Sequence, residues 1–219
     1  MNVGMKVPRA RPARAGSILI VSAPSGSGKS TLIRRLLASD PALQFSISYT
    51  TRPPRPGERK GRDYFFVSDA RFRKMAASGQ FAEWANVFGH FYGTPNRQLR
   101  AAQAQGKDLL LDIDVQGHRQ VRRRFPDAVS VFLLPPSYRE LERRLRRRHS
   151  DDPDVIAWRL ANARRELGHW REYDYLVVND KLPEAARALG AIVTASRFRR
   201  TVQRVVAQRI SKTFGGKKA

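Results

Sequence analysis

Cysteine is absent from the 219 residues, which excludes a disulfide framework and any thiolate metal site and agrees with a reducing cytoplasm as the place of work. Long apolar runs are absent too. The basic start (Lys6, Arg9, Arg11, Arg14) leads only into Ile18 to Val21 before polar residues return, so neither a membrane span nor a signal peptide is expected. Acidic residues are scarce, 19 against 42 lysines and arginines, for a net charge of +23. Residues 1–15 carry four basic groups and residues 196–219 carry eight, with no acid in either, which leaves the middle at +11. Such a surface suits anionic ligands such as nucleotides and attracts nucleic acid without reading it. Arginine outnumbers lysine 33 to 9, a skew that coding composition alone can produce, so no specific nucleic-acid partner is expected. There is no internal repeat. With 41% apolar residues, one domain with a real core and a mobile lobe is expected.

What is present concentrates in SILIVSAPSGSGKSTLIRRLL, Ser17 to Leu37. Ile18 to Ser22 suit a buried strand, and Pro24, Gly26 and Gly28 forbid its continuation. From Lys29 the pattern turns helical, with Leu32, Ile33, Leu36 and Leu37 on one face. Strand, glycine loop and helix N-terminus in series make a phosphate site, because the N–H groups of the loop and first turn have no intrahelical partner and the dipole favours an anion. Lys29 adds a positive charge, and the Ser30 hydroxyl suits a magnesium ion bridging phosphate oxygens, the division of labour in a P-loop. The pattern departs once from G-x-x-x-x-G-K-[ST]: Ala23 stands at the first glycine, a place alanine holds only with negative φ. An ordinary glycine turn is the rival interpretation. The ordered succession of strand, loop, Lys-Ser and amphipathic helix weighs against it.

Further on, Phe45 to Ser48 alternates like a short strand, and SYTTRPPRPGERKGRDY follows from Ser48 to Tyr64. Its prolines and glycines exclude helix and hold Arg52 and Arg55 so that two guanidinium forks can face one anion, with Tyr64 as a third donor. Glu83 then stands among Phe81, Trp84, Phe88, Phe91 and Tyr92. A carboxylate in aromatic surroundings needs donors, and guanine offers adjacent N1–H and N2 groups, a pair that adenine lacks. The hydroxyls of Thr94 and Ser48 can donate to guanine O6. Leu109 to Leu111 reads as a buried strand leading into Asp112 and Asp114, at the end where a parallel sheet has its phosphate crevice. These carboxylates can order magnesium-bound water, and a strand-end cap is the plainer role for either. Val129 to Leu134 is another strand, Tyr138 to His149 an arginine-dense helix with a largely solvated face, Asp151 to Asp154 a turn, and Leu176 to Val178 the last strand. From Leu182 a helical pattern runs on into the basic tail, where it fits a subunit contact, an RNA or membrane-surface patch, or an extension packed on the core.

Taken in order, APSGSGKST, SYTTRPPRPGE, GRDYFFVS, FAEWANVFGHFYGTP, LLLDIDVQG and YDYLVVND resemble the guanylate kinase family of nucleoside monophosphate kinases over residues 16–195. The resemblance implies an α/β P-loop NTPase core with a central parallel sheet (16–47, 106–135 and 168–195), a small mixed α/β GMP-binding domain (48–98) and a helical lid (139–165). A disordered basic N-terminus (1–15) and a basic helical tail (196–219) flank them. It implies phosphorylation of GMP, and of dGMP, by ATP with Mg2+, in purine nucleotide metabolism. Carried onto this sequence, the ATP contacts are Ala23, Pro24, Ser25, Gly26, Ser27, Gly28, Lys29, Ser30 and Thr31, with Arg148 and Asn179. The GMP contacts are Ser48, Arg52, Arg55, Tyr64, Glu83, Tyr92, Thr94 and Asp114. Lys29, Arg52, Arg144 and Arg159 act on the transferred phosphoryl group, and Ser30 and, through water, Asp112 serve the metal. Asp114 either positions an arginine or the base, or ligates the metal. A homo-oligomer is left open, and no membrane partner is expected. Two rival classes remain. One is a catalytically inactive guanylate kinase-like binding module, which the complete set Lys29, Ser30, Arg52, Arg144 and Arg159 argues against; the other is an RNA-binding protein using both basic ends, for which deletion of the ends is the test.

Overall fold

Five residues without a solvent-facing member make β1 (Ile18–Ser22) a strand buried on both sides, as in a parallel sheet covered on both faces. In the computed structural model, residues 16–147 and 153–214 are described. Arg148, Asp151 and the stretch 1–15 lie outside them. After the glycine loop comes α1 (Lys29–Ser39), whose buried Leu32, Ile33 and Leu36 share one face, and then β2 (Leu43–Phe45), slightly earlier than the expected strand. The chain next builds a second sheet from β3 (Tyr49–Thr50), β4 (Phe65–Phe66), β5 (Phe81–Val87) and β6 (His90–Pro95), ordered β4-β3-β6-β5, with α2 (Asp69–Ala77) between β4 and β5. β3 runs parallel to β4 and antiparallel to β6, and β5 and β6 form a hairpin. Through α3 (Asn96–Ala104) the chain returns to β7 (Asp108–Asp112), α4 (Val115–Arg124) and β8 (Val129–Leu134). A helix pair, α5 (Tyr138–Arg146) and α6 (Pro153–Leu167), precedes β9 (Tyr175–Val178), α7 (Leu182–Ser196) and α8 (Arg200–Thr213).

The first sheet is wholly parallel, in the order β2-β7-β1-β8-β9. Alternation sorts its side chains into two cores: Leu19, Val21 and Leu110 pack with α1 and α7, while Ile18, Ile20 and Leu109 pack with α3 and α4. The helix after β1 therefore covers one face, and the helix after β7, its neighbour, covers the other. The crevice beyond their carboxyl ends is the switch point at which open α/β sheets bind ligands. The expected fold class is the one observed.

The helix pair packs through Leu141, Leu145, Ile156, Leu160 and Ala163. The helical pattern that begins at Leu182 does not run unbroken into the tail, as it was expected to. It stops at Ser196 and resumes at Arg200 once Arg199 leaves the helical region (φ −59°, ψ 142°), while the Arg197 guanidinium bridges Asp108 at 2.7 Å and Asp40 at 2.5 Å. α8 then buries Val202 and exposes Val205 and Ile210. Among the described residues no helix is long and apolar enough to cross a membrane.

Candidate active site

Between β1 and α1 the backbone enters the left-handed region at Gly26 (φ 92°) and Gly28 (φ 84°). Ala23 does not, so alanine at the motif's first position costs no strain. Gly28 lacks a side chain for a second reason: a Cβ there would lie 2.5 Å from Asn179 Nδ2, which donates to the Ser27 carbonyl at 2.7 Å. Asn179, just after β9, thus braces the loop. The first turn of α1 contains no acid and no side-chain cap, which leaves its N–H groups to an anion.

Ala23 to Thr31 line one cleft together with Asp114. Lys29 Nζ lies 2.5 Å from Asp112 Oδ1 at the end of β7. Burial would lower the lysine's pKa, but the Asp112 carboxylate outweighs it and holds Lys29 above its ordinary value, fully charged. Asp114 caps α4, accepting from the Gly117 N–H at 2.8 Å and from Gln116 Nε2 at 3.1 Å. On the other side of the loop a cleft of about 640 Å³ is lined by Gly26, Gly28, Thr31, Arg144 and Asn179. Arg144 is held there by Glu140 at 2.7 Å and by the Asn179 carbonyl at 3.0 Å. Arg159 lies half-buried on α6. Among the described residues no group of three His, Cys, Asp or Glu side chains could cage a metal. Magnesium is commonly held by substrate phosphates and water with one or two protein oxygens, and Ser30, exposed at the loop, and Asp112, at the end of β7, are the oxygens expected to serve it.

The second sheet corrects one expectation. A bulge between Phe81 and Glu83 resets the strand's alternation, so that Phe81 and Trp84 both meet Phe72, with centroids at 4.6 and 6.4 Å. Glu83 is turned to the opposite face and is not set among those rings. Cross-strand pairing puts Thr94 beside it, with Tyr92 further along the same face. Its carboxylate is 4% exposed and accepts from the Thr94 N–H at 3.0 Å and the Thr94 hydroxyl at 2.5 Å. The hydroxyl proton expected for guanine O6 is therefore committed to Glu83, which leaves buried Ser48 as the second hydroxyl on that side. Burial pushes the Glu83 carboxyl up to about 7, with Asp114 adding to the effect and the Thr94 bonds opposing it. Among the described residues no cation pairs with it. Gly117, in the first turn of α4, makes room for it: a Cβ there would come within 2.6 Å of Glu83 Oε2.

Arg52, Tyr64 and Tyr92 are brought together. The Arg52 guanidinium sits 5.6 Å from the Tyr64 ring centre and donates to the Tyr92 hydroxyl at 3.2 Å. Its Nη2 forks onto both oxygens of Glu58, at 2.8 and 2.9 Å, and Nη1 donates to the Pro53 carbonyl at 2.7 Å. Glu58 also accepts the Arg55 backbone N–H at 2.8 Å, while the Arg55 side chain is exposed. Burial acts to raise the Glu58 pKa, and these bonds reverse it, holding the carboxyl below the usual range. Sequence reasoning passed over Glu58, whose one signal is its being the sole acid in RPPRPGERK. Gln120 and Gln116 of α4 bond the open edge of β5 at Trp84 and Asn86, so the helix whose cap lines the loop cleft also holds the second sheet.

Known proteins resemble this chain in sequence and in fold. The family model described as Guanylate kinase matches residues 15–196. A guanylate kinase of Rhizobium meliloti (strain 1021) is 51% identical over 189 residues, 86% of this chain and 86% of that protein. Another, of Dechloromonas aromatica (strain RCB), is 52% identical over 182 residues, 83% of this chain and 90% of that one. Among solved structures, guanylate kinase from Anaplasma phagocytophilum aligns with a TM-score of 0.78 at 32% identity, covering 94% of this chain and 98% of that chain. The glycine loop, the second sheet with Glu83 and the helix pair all fall inside the matched stretch, and so the chain belongs to the guanylate kinase family.

Proposed function

We infer that this protein transfers the γ-phosphoryl group of ATP to GMP, giving ADP and GDP. One observation carries the inference: α4 joins a P-loop with its paired Lys29 and Asp112 to a sheet face bearing a buried, cation-free carboxylate. The loop N–H groups and Lys29 bind the donor's phosphates, with Arg144 on the outer side of the loop. Arg52, Arg55, Tyr64 and Tyr92 bind the acceptor phosphate, for which Arg52 must share or leave Glu58. Glu83, oriented by Thr94, takes the guanine N1–H and N2 pair, and Ser48 faces O6. Asp114 fixes the start of α4 beside both substrates. Arg159 approaches from the lid, and Arg148, which lies outside the described residues, is assigned to the ATP. Magnesium, held with the help of Ser30 and Asp112, neutralises phosphate charge when bound.

The acceptor oxygen is already anionic, so no general base is required; the side chains act by alignment and by balancing charge on the equatorial oxygens. dGMP is a second acceptor, since none of the contacts proposed here touches the 2′ position. We place the reaction in the cytoplasm, in keeping with a chain without cysteine. A coupled assay of ADP formation with GMP, AMP, UMP and dTMP tests the assignment: turnover should be confined to the guanine nucleotide, and equal turnover of AMP would overturn it.

A further inference from the structure

One carboxylate with no role so far points into the phosphate cradle. Glu166, in the last turn of α6, lines the cleft formed by the loop from Ala23 to Thr31. It faces the backbone N–H of Ser25 and lies within electrostatic reach of Lys29. Charged groups face it from three elements: Lys29 on α1, Asp114 at the cap of α4, and Arg165 beside it on α6. Asp112 bears on it through Lys29. Burial, and then Asp114, push its carboxyl up to about 7, while Lys29, the Ser25 N–H and Arg165 pull the other way.

A loop shaped to surround phosphate presents donors that are costly to leave unmet. In the nucleotide-free chain the helix pair supplies an anion of its own. That anion cannot keep its place unchanged when a polyphosphate arrives, because two negative groups then share Lys29 and the Ser25 N–H. Either the carboxylate withdraws, carrying the end of α6 with it, or it takes up a proton. We propose that Glu166 is a resident anion of the P-loop, which occupies the cradle's donors while nucleotide is absent and yields them on binding, so that filling of the cradle is coupled to the position of α6. This rests on the loop being the ATP site. A purely structural brace would behave otherwise: it would stay in place, and removing its charge would not strengthen nucleotide binding.

Calorimetry with the magnesium complex of the non-hydrolysable β,γ-imido analogue of ATP separates the two. Glu166→Gln keeps the size and an acceptor for Ser25 but removes the charge. At pH 8 it should bind the analogue about tenfold more tightly than the wild type, the scale of one like charge at close range in a partly buried site. At pH 6, where the wild-type carboxyl is protonated, the two should differ little. The wild type alone supplies a second reading: binding at pH 7 to 8 should change the number of bound protons, by uptake where the carboxylate stays beside the phosphates and by release where it withdraws to water, seen as a dependence of the heat on the buffer, and this change should shrink in Glu166→Gln. Equal or weaker binding by the folded variant at pH 8, or no change in bound protons in the wild type, would overturn the proposal. Failure of both proteins to bind the analogue at pH 6 would instead remove the ATP-site assignment beneath it.

Discussion

The ring of Phe88, at the tip of the β5–β6 hairpin, lies 4.5 Å centroid to centroid from the indole of Trp158 on α6. Each is 46% exposed, and Phe88 holds its place at φ 57°, in the left-handed region that a bulky residue seldom adopts. This contact joins the base-side sheet to the helix pair across the loop cleft, which Phe88 also lines. Trp158→Ala should lower kcat/KM for GMP about fivefold, the effect of one aromatic pair, and Trp158→Phe should restore most of it. Steady-state kinetics decide: unchanged kcat/KM in Trp158→Ala would mean the contact does not assist closure.

In the proposed mechanism Lys29 meets the donor phosphates and not the base. Lys29→Ala should therefore reduce kcat by about 10³-fold or more while leaving GMP affinity nearly unchanged. Turnover near that of the wild type in the purified variant would end the P-loop assignment.

Glu83 should impose a pH dependence on GMP. With its carboxyl raised to about 7, the folded chain holds a proton below that pH which collides with the guanine N1–H and N2 donors. GMP binding should strengthen from pH 6 to pH 8, by up to about tenfold per unit below the pKa, and the trend should flatten in Glu83→Gln. Glu83→Gln should also lose about 2 to 3 kcal/mol in kcat/KM for GMP and little for AMP. An equal loss for both nucleotides would assign Glu83 to the fold. In the ligand-free chain the same shift opposes stability: its contribution is most favourable below the ordinary value of 4.5 and is lost as pH rises through about 7.

Arg197 carries the fourth prediction. Its partner Asp108 has a side chain only 2% exposed, and Asp40 lies at the end of α1. Arg197→Met should lower stability by about 3 kcal/mol, read as a fall in Tm, with kcat intact well below that temperature. Truncation after Arg199 should be harmless to turnover. Truncation at residue 196, the expected start of the tail, removes this bridge and should not be neutral.

What was legible in the sequence had local signals. The apolar run of β1, the glycines of the loop and the face of α1 lie within twenty-one consecutive residues from Ser17 to Leu37, and each follows from short-range geometry. Glu83 was expected among aromatic rings, and its separation from Phe81 and Trp84 was not legible, because nothing in FAEWANVF announces a bulge that turns those two to one face. The partners of Glu58, Glu166 and Arg197 were out of reach for another reason. Charges on loops and helix ends show no periodicity, and Arg197 meets Asp40 across 157 positions, a distance over which no local pattern reports.

The strand order also has a kinetic consequence. β1 is synthesised before the other strands of its sheet, yet its partners are remote: Ile18 pairs with Leu109 and Leu19 with Val129. Such pairings must close long loops before any contact rewards them, so sheets of this kind assemble slowly. The second sheet shortens the detour. Its hairpin pairs residues as close as Glu83 and Thr94, and the chain departs from β2 at Phe45 to return at Asp108, on strands that lie side by side. By condensing first it can draw those ends together, and the sheet proposed to select the acceptor base would then also act as the folding clamp for the sheet beside the glycine loop.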